Sequence, residues 1–112
     1  MIDLDRLMAL KGVFAAGEFG VGGSLIRYRG ELAPAHAELA AMICAASSLT
    51  ARMETESFSR ESGLNWRPLK GWSATGGDYT LCVMGEIGVF VETDQADFNE
   101  LFKVLREEAD MP

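Results

Sequence analysis

PAHAELAAMICAASSLTARMETESFSRESG, residues 34–63, is the stretch that decides the fold. Pro34 suits the first turn of a helix, where its missing N–H costs nothing. Gly63 followed by Leu64 is the pattern of a left-handed helix terminator with its apolar neighbour. Helical spacing runs between the two, so one long helix is predicted. Leu39, Met42, Ile43, Ala46, Leu49 and Met53 recur at steps of three and four, and this is the face expected to cover a sheet. About half a turn away, Ala37, Ala41, Cys44, Ser48, Ala51 and Thr55 repeat in the same rhythm, and all are small. No charged residue occurs from Leu39 through Ala51, although a helix on a monomer's surface would carry charge on its outer side. Small side chains allow close helix approach, so the expectation is a homodimer packed about a two-fold axis through Ala37, Ala41, Cys44, Ala45, Ser48, Ala51 and Thr55. That seam would set Cys44 near its own copy, within reach of an oxidative crosslink.

Working outward, Asp3 can cap a short helix with Leu4, Leu7 and Met8 at helical spacing, ended near Gly12. Val13 to Phe19 and Leu25 to Leu32 read as strands joined by the glycine-rich turn Gly20-Val21-Gly22-Gly23. After the long helix, Trp66 to Ala74 reads as a strand. Pro68 confines it to an edge, because proline cannot donate to a ladder. Tyr79 to Met84 and Ile87 to Glu92 form a hairpin around Gly85-Glu86 and are apolar on both faces, so both faces need cover. Asp94 can cap a last helix with Asp97 in its first turn, and Phe98, Leu101, Phe102 and Leu105 mark its buried side. The expected architecture is an α+β fold of one domain, residues 1–112, ordered α-β-β-α-β-β-β-α. A five-stranded antiparallel sheet is covered by the long helix on one face and by the two terminal helices on the other.

The chain has 112 residues, 48% hydrophobic and 24% charged, with a net charge of −7, as in an ordinary soluble domain. The charge is unevenly placed. Residues 1–31 and 32–77 each balance, whereas from 78 onward Lys103 and Arg106 face nine acids. An anionic end argues against nucleic acid and anionic lipid as partners, since both bind through basic patches; it reads first as a solvated acidic helix, with a basic protein partner as the alternative. No uncharged run approaches the roughly 20 residues that span a bilayer, so no membrane association is expected. Met-Ile-Asp-Leu-Asp-Arg at the start carries acids where a secretory signal has bases, which points to a cytoplasmic protein. Cys44 and Cys82 lie far apart in apolar runs, as buried free thiols do.

The element order and long central helix, together with Gly17-Glu18-Phe19, Gly71-Trp72, Gly76-Gly77-Asp78-Tyr79, Val83-Met84-Gly85 and Asp97-Phe98-Asn99-Glu100-Leu101, resemble the roadblock/LC7 (dynein light-chain-like) superfamily, in a prokaryotic branch. The resemblance implies a non-catalytic scaffold that dimerises through the long helix and the neighbouring edge strand and regulates another protein, a small GTPase in several cases. It carries no catalytic residue over to this chain.

The residues themselves argue against chemistry. Gly17 to Gly23 lacks the Lys-Ser/Thr ending of a phosphate loop and leads into a strand. His36 is the only histidine and has no second nitrogen ligand near it, so no metal and no cofactor is expected. A thiol in an all-apolar strand is a poor nucleophile, which removes a Cys82–His36 pair. Trp66 and Trp72, with Arg67 and Lys70, form the candidate partner-binding surface, because Trp and Arg are enriched at interface hot spots. A second reading is a small-ligand-binding sensor, with a pocket between the sheet and a terminal helix lined by Phe98, Phe102 and Trp72.

Overall fold

A computed structural model describes residues 1–110; Met111 and Pro112 lie outside the described residues. The order is α1 (Leu4–Met8), β1 (Val13–Phe19), β2 (Leu25–Gly30), α2 (Pro34–Ser62), β3 (Gly71–Gly76), β4 (Tyr79–Met84), β5 (Ile87–Glu92) and α3 (Phe98–Ala109). One sheet runs β2-β1-β5-β4-β3, and every neighbouring pair is antiparallel. A hairpin and a three-strand meander are thus joined by β1 against β5, with β2 and β3 as the edges. The α-β-β-α-β-β-β-α order and the helices on both faces are as the sequence leads one to expect.

Register sorts the side chains. Cys82 pairs with Val89, and Val13 with Val91, so these residues share the face under α1 and α3. Leu4, Leu7, Leu101 and Leu105 close over them, almost free of solvent. Each such side chain stabilises the fold by about 1.5–3 kcal/mol on burial. Leu81, Val83, Gly88 and Phe19 face α2. Thr80, buried on the α3 side, is satisfied by the Thr75 and Thr93 hydroxyls at 2.9 and 2.7 Å.

Three boundaries differ from the sequence-based expectation. Trp66 to Lys70 are not strand, and β3 begins only at Gly71. Backbone that would have joined the ladder is taken by the helix end instead, where the Trp66 N–H donates to Ser59 Oγ at 2.7 Å. Pro68 therefore precedes the edge strand. The last helix is capped by Asp97, whose carboxylate accepts from the Glu100 N–H at 3.2 Å, and Asp94 lies in the turn before it. The second strand stops at Gly30, where φ is 108° and an added Cβ would stand 2.2 Å from the Phe14 carbonyl oxygen, so only glycine fits that close approach.

The two terminal helices are tied by Glu108, whose side chain is 4% exposed. Its carboxylate accepts from the Asp3 N–H at 2.7 Å and from the Arg6 guanidinium at 2.9 Å. A second Arg6 nitrogen reaches Glu107 at 2.6 Å. Glu108→Ala is expected to leave both donors without that acceptor and to cost about 1–3 kcal/mol, measured as a lower urea midpoint with an unchanged slope.

Candidate functional site

The long helix is seated the opposite way round from the sequence-based expectation. Ala37, Ala41 and Cys44 are each 3% exposed and face the sheet, whereas Leu39, Met42, Ile43, Leu49 and Met53 are 46–63% exposed and point away. The cause lies in the sheet beneath. Gly88 brings β5 close enough that a Cβ there would meet Cys44 Sγ at 3.4 Å. The Trp72 indole N–H crosses to Ser48 Oγ at 2.8 Å. A seam of small residues lets the backbones approach, and a row of Leu and Met would hold them apart. Ala37, Ala41 and Cys44 are therefore removed from the predicted dimer seam. Cys44 cannot meet its copy, because it is sealed inside its own subunit. Ala45, Ser48, Ala51 and Thr55 are half-buried on the inward side and its flank. Lacking charge on either side, the helix keeps a bare apolar outer face, but it is the large-residue one.

Burial pushes the Cys44 and Cys82 thiols up to about 11 from the ordinary 9.0. Both stay protonated in the folded protein while the unfolded chain ionises near 9, so the unfolded state binds fewer protons between these values. Their contribution is complete below pH 9 and falls as pH rises to 11. Urea midpoints measured across that window should decline, with a smaller decline in Cys82→Ala.

The proposed partner surface is divided. Trp72 is fixed under α2 by its bond to Ser48 and packs with Phe19, Cys44 and Val83. Trp66 sits beyond the helix tail, 47% exposed, with its ring 5.0 Å from that of Phe58. Arg67 and Lys70 are exposed beside it. Trp66, Arg67 and Lys70 thus share one loop, and Trp72 belongs to another surface. The ligand pocket lined by Phe98, Phe102 and Trp72 does not form, because the two phenylalanines pack under α3 on the opposite face of the sheet from Trp72. Between α2 and the sheet there is an apolar void of about 30 Å³, lined in part by Ala15, Gly17, Tyr28, Ala41 and Phe90. That is the room of about one water molecule, far below the roughly 300 Å³ of a metabolite pocket.

The helix also outruns the sheet. At 1.5 Å per residue its 29 residues span about 44 Å. Five strands at about 4.8 Å spacing are only about 19 Å wide. Among the described residues Ser48 is the furthest helix residue hydrogen-bonded to the sheet, and Leu49 to Ser62 extend about 21 Å past it. Two open grooves flank the outer face. One, of about 570 Å³, separates Met42 and Leu49 from the β1–β2 and β4–β5 turns. The other, of about 440 Å³, lies between Thr50 and the edge residue Ser73. An apolar ridge, an unpaired edge strand and an overhanging helix end therefore lie together. No group of acids, histidines and cysteines placed to hold a metal occurs among the described residues, and no helix among them is long and apolar enough to cross a membrane.

The family model described as "Uncharacterized conserved protein (DUF2173)" matches residues 3–107. The chain belongs to the DUF2173 family. No curated protein matches it in sequence. Among solved structures, this DUF2173 chain is similar to a roadblock/LC7 domain from Streptomyces avermitilis, with a TM-score of 0.77 at 15% identity over 95% of this chain and 88% of that one. It is also similar to the gliding protein MglB from Thermus thermophilus, with a TM-score of 0.72 at 14% identity over 96% of this chain and 80% of that one. A third likeness is to an MglB in a tetrameric arrangement, at 0.73 and 15% over 96% and 79%. At such identities the likeness is one of fold, and the fold of this DUF2173 chain is the roadblock fold.

Proposed function

We propose that this protein is a cytoplasmic, non-catalytic adaptor that pairs with a second copy of itself and in that form binds and regulates another protein, with a small GTPase as the partner class. The observation that carries the reading is the outer face of α2, where four large apolar side chains stand in solvent on an uncharged stretch and Met53 follows just past Arg52, beside the free edge of β3. Exposed apolar surface of this extent marks an interface. A two-fold axis lets one such face cover itself and lets two β3 edges pair. The roadblock fold, and the tetrameric arrangement of one MglB of that fold, support self-association. The partner class rests on the resemblance. The exposed loop with Trp66, Arg67 and Lys70 supplies aromatic and basic groups for the second protein.

Sedimentation at micromolar concentration tests the first half, and a dimer mass is expected. Affinity capture from native lysate tests the second. A stoichiometric GTPase supports the reading, whereas a monomeric protein, or a small molecule released on denaturation and no protein, contradicts it.

A further inference from the structure

On the α2 side of the sheet one corner is left bare. The β3–β4 and β4–β5 registers set Tyr79 between Gly76 and Glu92, and Leu81 between Ala74 and Phe90. Alternation places all of these on the face that carries Val83 and Trp72. Phe14, at the irregular step of β1 between Val13 and Ala15, turns its ring to the same side. It lies 5.4 Å edge-on from Tyr79 and 6.0 Å from Phe90. Tyr79 is 51% exposed. Small residues on β3 leave this aromatic corner flat up to the free edge, and Asp78 and Glu92 give it negative charge.

The helix tail is its complement. Phe58, Leu64 and Trp66 are exposed there, with Arg60 and Arg67 among them, and the acids of the tail are Glu54, Glu56 and Glu61, the last 3.8 Å from Arg60.

We propose that in the dimer each copy's aromatic corner of Phe14, Tyr79 and Phe90 receives the tail of the other copy's α2 with its Phe58–Trp66 pair. This rests on the homodimer reading. Direction and length carry it. The helix leaves the sheet at Trp72, near the Gly71 end of β3, and the chain returns to that same end. Antiparallel pairing of β3 with its two-fold copy sets the Gly71 end of one strand against the Gly76 end of the other. The overhang of about 21 Å therefore runs out over the partner's β3, β4 and β5, at about 4.8 Å apiece, at the end where Tyr79 and Glu92 are exposed and Phe14 is half-buried. Apolar rings meet rings, and Arg60 and Arg67 meet Asp78 and Glu92. By symmetry the contact forms twice.

The test mixes two single variants, Phe58→Cys and Tyr79→Cys, lets subunits exchange, and treats them with a short bismaleimide, the native thiols being buried. A crosslinked dimer is expected in the mixture and in neither variant alone, and sedimentation is run in parallel. As a second measurement, Tyr79→Ala should raise the dimer dissociation constant about tenfold or more. A protein that sediments as a dimer yet gives no crosslink in the mixture, crosslinks Tyr79→Cys to itself, or holds its affinity in Tyr79→Ala overturns the proposal and leaves the homodimer standing. A monomeric wild type overturns both.

Discussion

Ala41→Glu should abolish the cooperative fold or lower its melting temperature by about 15 °C or more. Ala41 is 3% exposed and packs with Phe19, Cys44 and Val83 between helix and sheet. Among the described residues that line the space beside Ala41 there is no Lys or Arg to pair with a carboxylate. An unpaired charge taken out of water costs several kcal/mol, and a glutamate also brings more volume than a packed seam accepts. At about 4 kcal/mol, and roughly 4 °C per kcal/mol for a domain of this size, the loss consumes much of the 5–15 kcal/mol that holds such a domain together. Circular dichroism during heating is the measurement. The outcome that sinks the assignment of faces is a folded, monomeric Ala41→Glu protein with wild-type melting, because it would mean that Ala41 lies on an outer surface and not beneath the helix.

Why the element order was legible and the helix orientation was not comes down to what periodicity encodes. The Pro34 start, the Gly63 stop with φ of 73° and the apolar β4–β5 hairpin are local signals, decided by backbone sterics and by how many faces a strand must bury. Choosing the inward face of α2 requires knowing what lies opposite. Large residues normally go inward because burial of apolar area drives folding. Here the sheet presents Gly88 and the Trp72 indole to the helix, and both demand small partners. The large residues then have a surface of their own. Low contrast is the available clue, since a helical stretch uncharged on both sides, as from Leu39 to Ala51, has two covered faces, and charge alone cannot rank them. Trp66 was misplaced for a related reason. Its contacts with Phe58 and Ser59 depend on the chain folding back along the helix end. The Arg6–Glu108 tie joins positions 102 residues apart and leaves no local trace at all. Of the proposed site, the edge position of β3 and the uncharged helix were readable, whereas the identity of the outer residues needed the fold.

Leu49→Glu with Met53→Glu should produce a folded monomer. Leu49 is 57% and Met53 is 63% exposed in the single subunit, one helical turn apart on the outer face near the start of the overhang, where a two-fold axis beside β3 brings the helices closest. In solvent each glutamate is hydrated, so far-UV circular dichroism keeps its helical signature and the Ala41 seam is undisturbed. In the dimer each position meets the partner and every substitution counts twice. Four apolar side chains that would each contribute about 1.5 kcal/mol or more on burial are replaced by four like charges in a small area. The loss is roughly 6 kcal/mol before repulsion, and at 1.4 kcal/mol per tenfold this raises the dissociation constant about four orders of magnitude. Micromolar protein should then sediment as a single subunit, and high salt should restore little, because the lost area is not electrostatic. A double variant that still sediments as a tight dimer would place the interface elsewhere. Unfolding of this variant without dissociation would return the large-residue face to the sheet. Monomer with intact helix, set beside the collapse of Ala41→Glu, separates the two faces of one helix by their failures: one holds the subunit together and the other holds its copy.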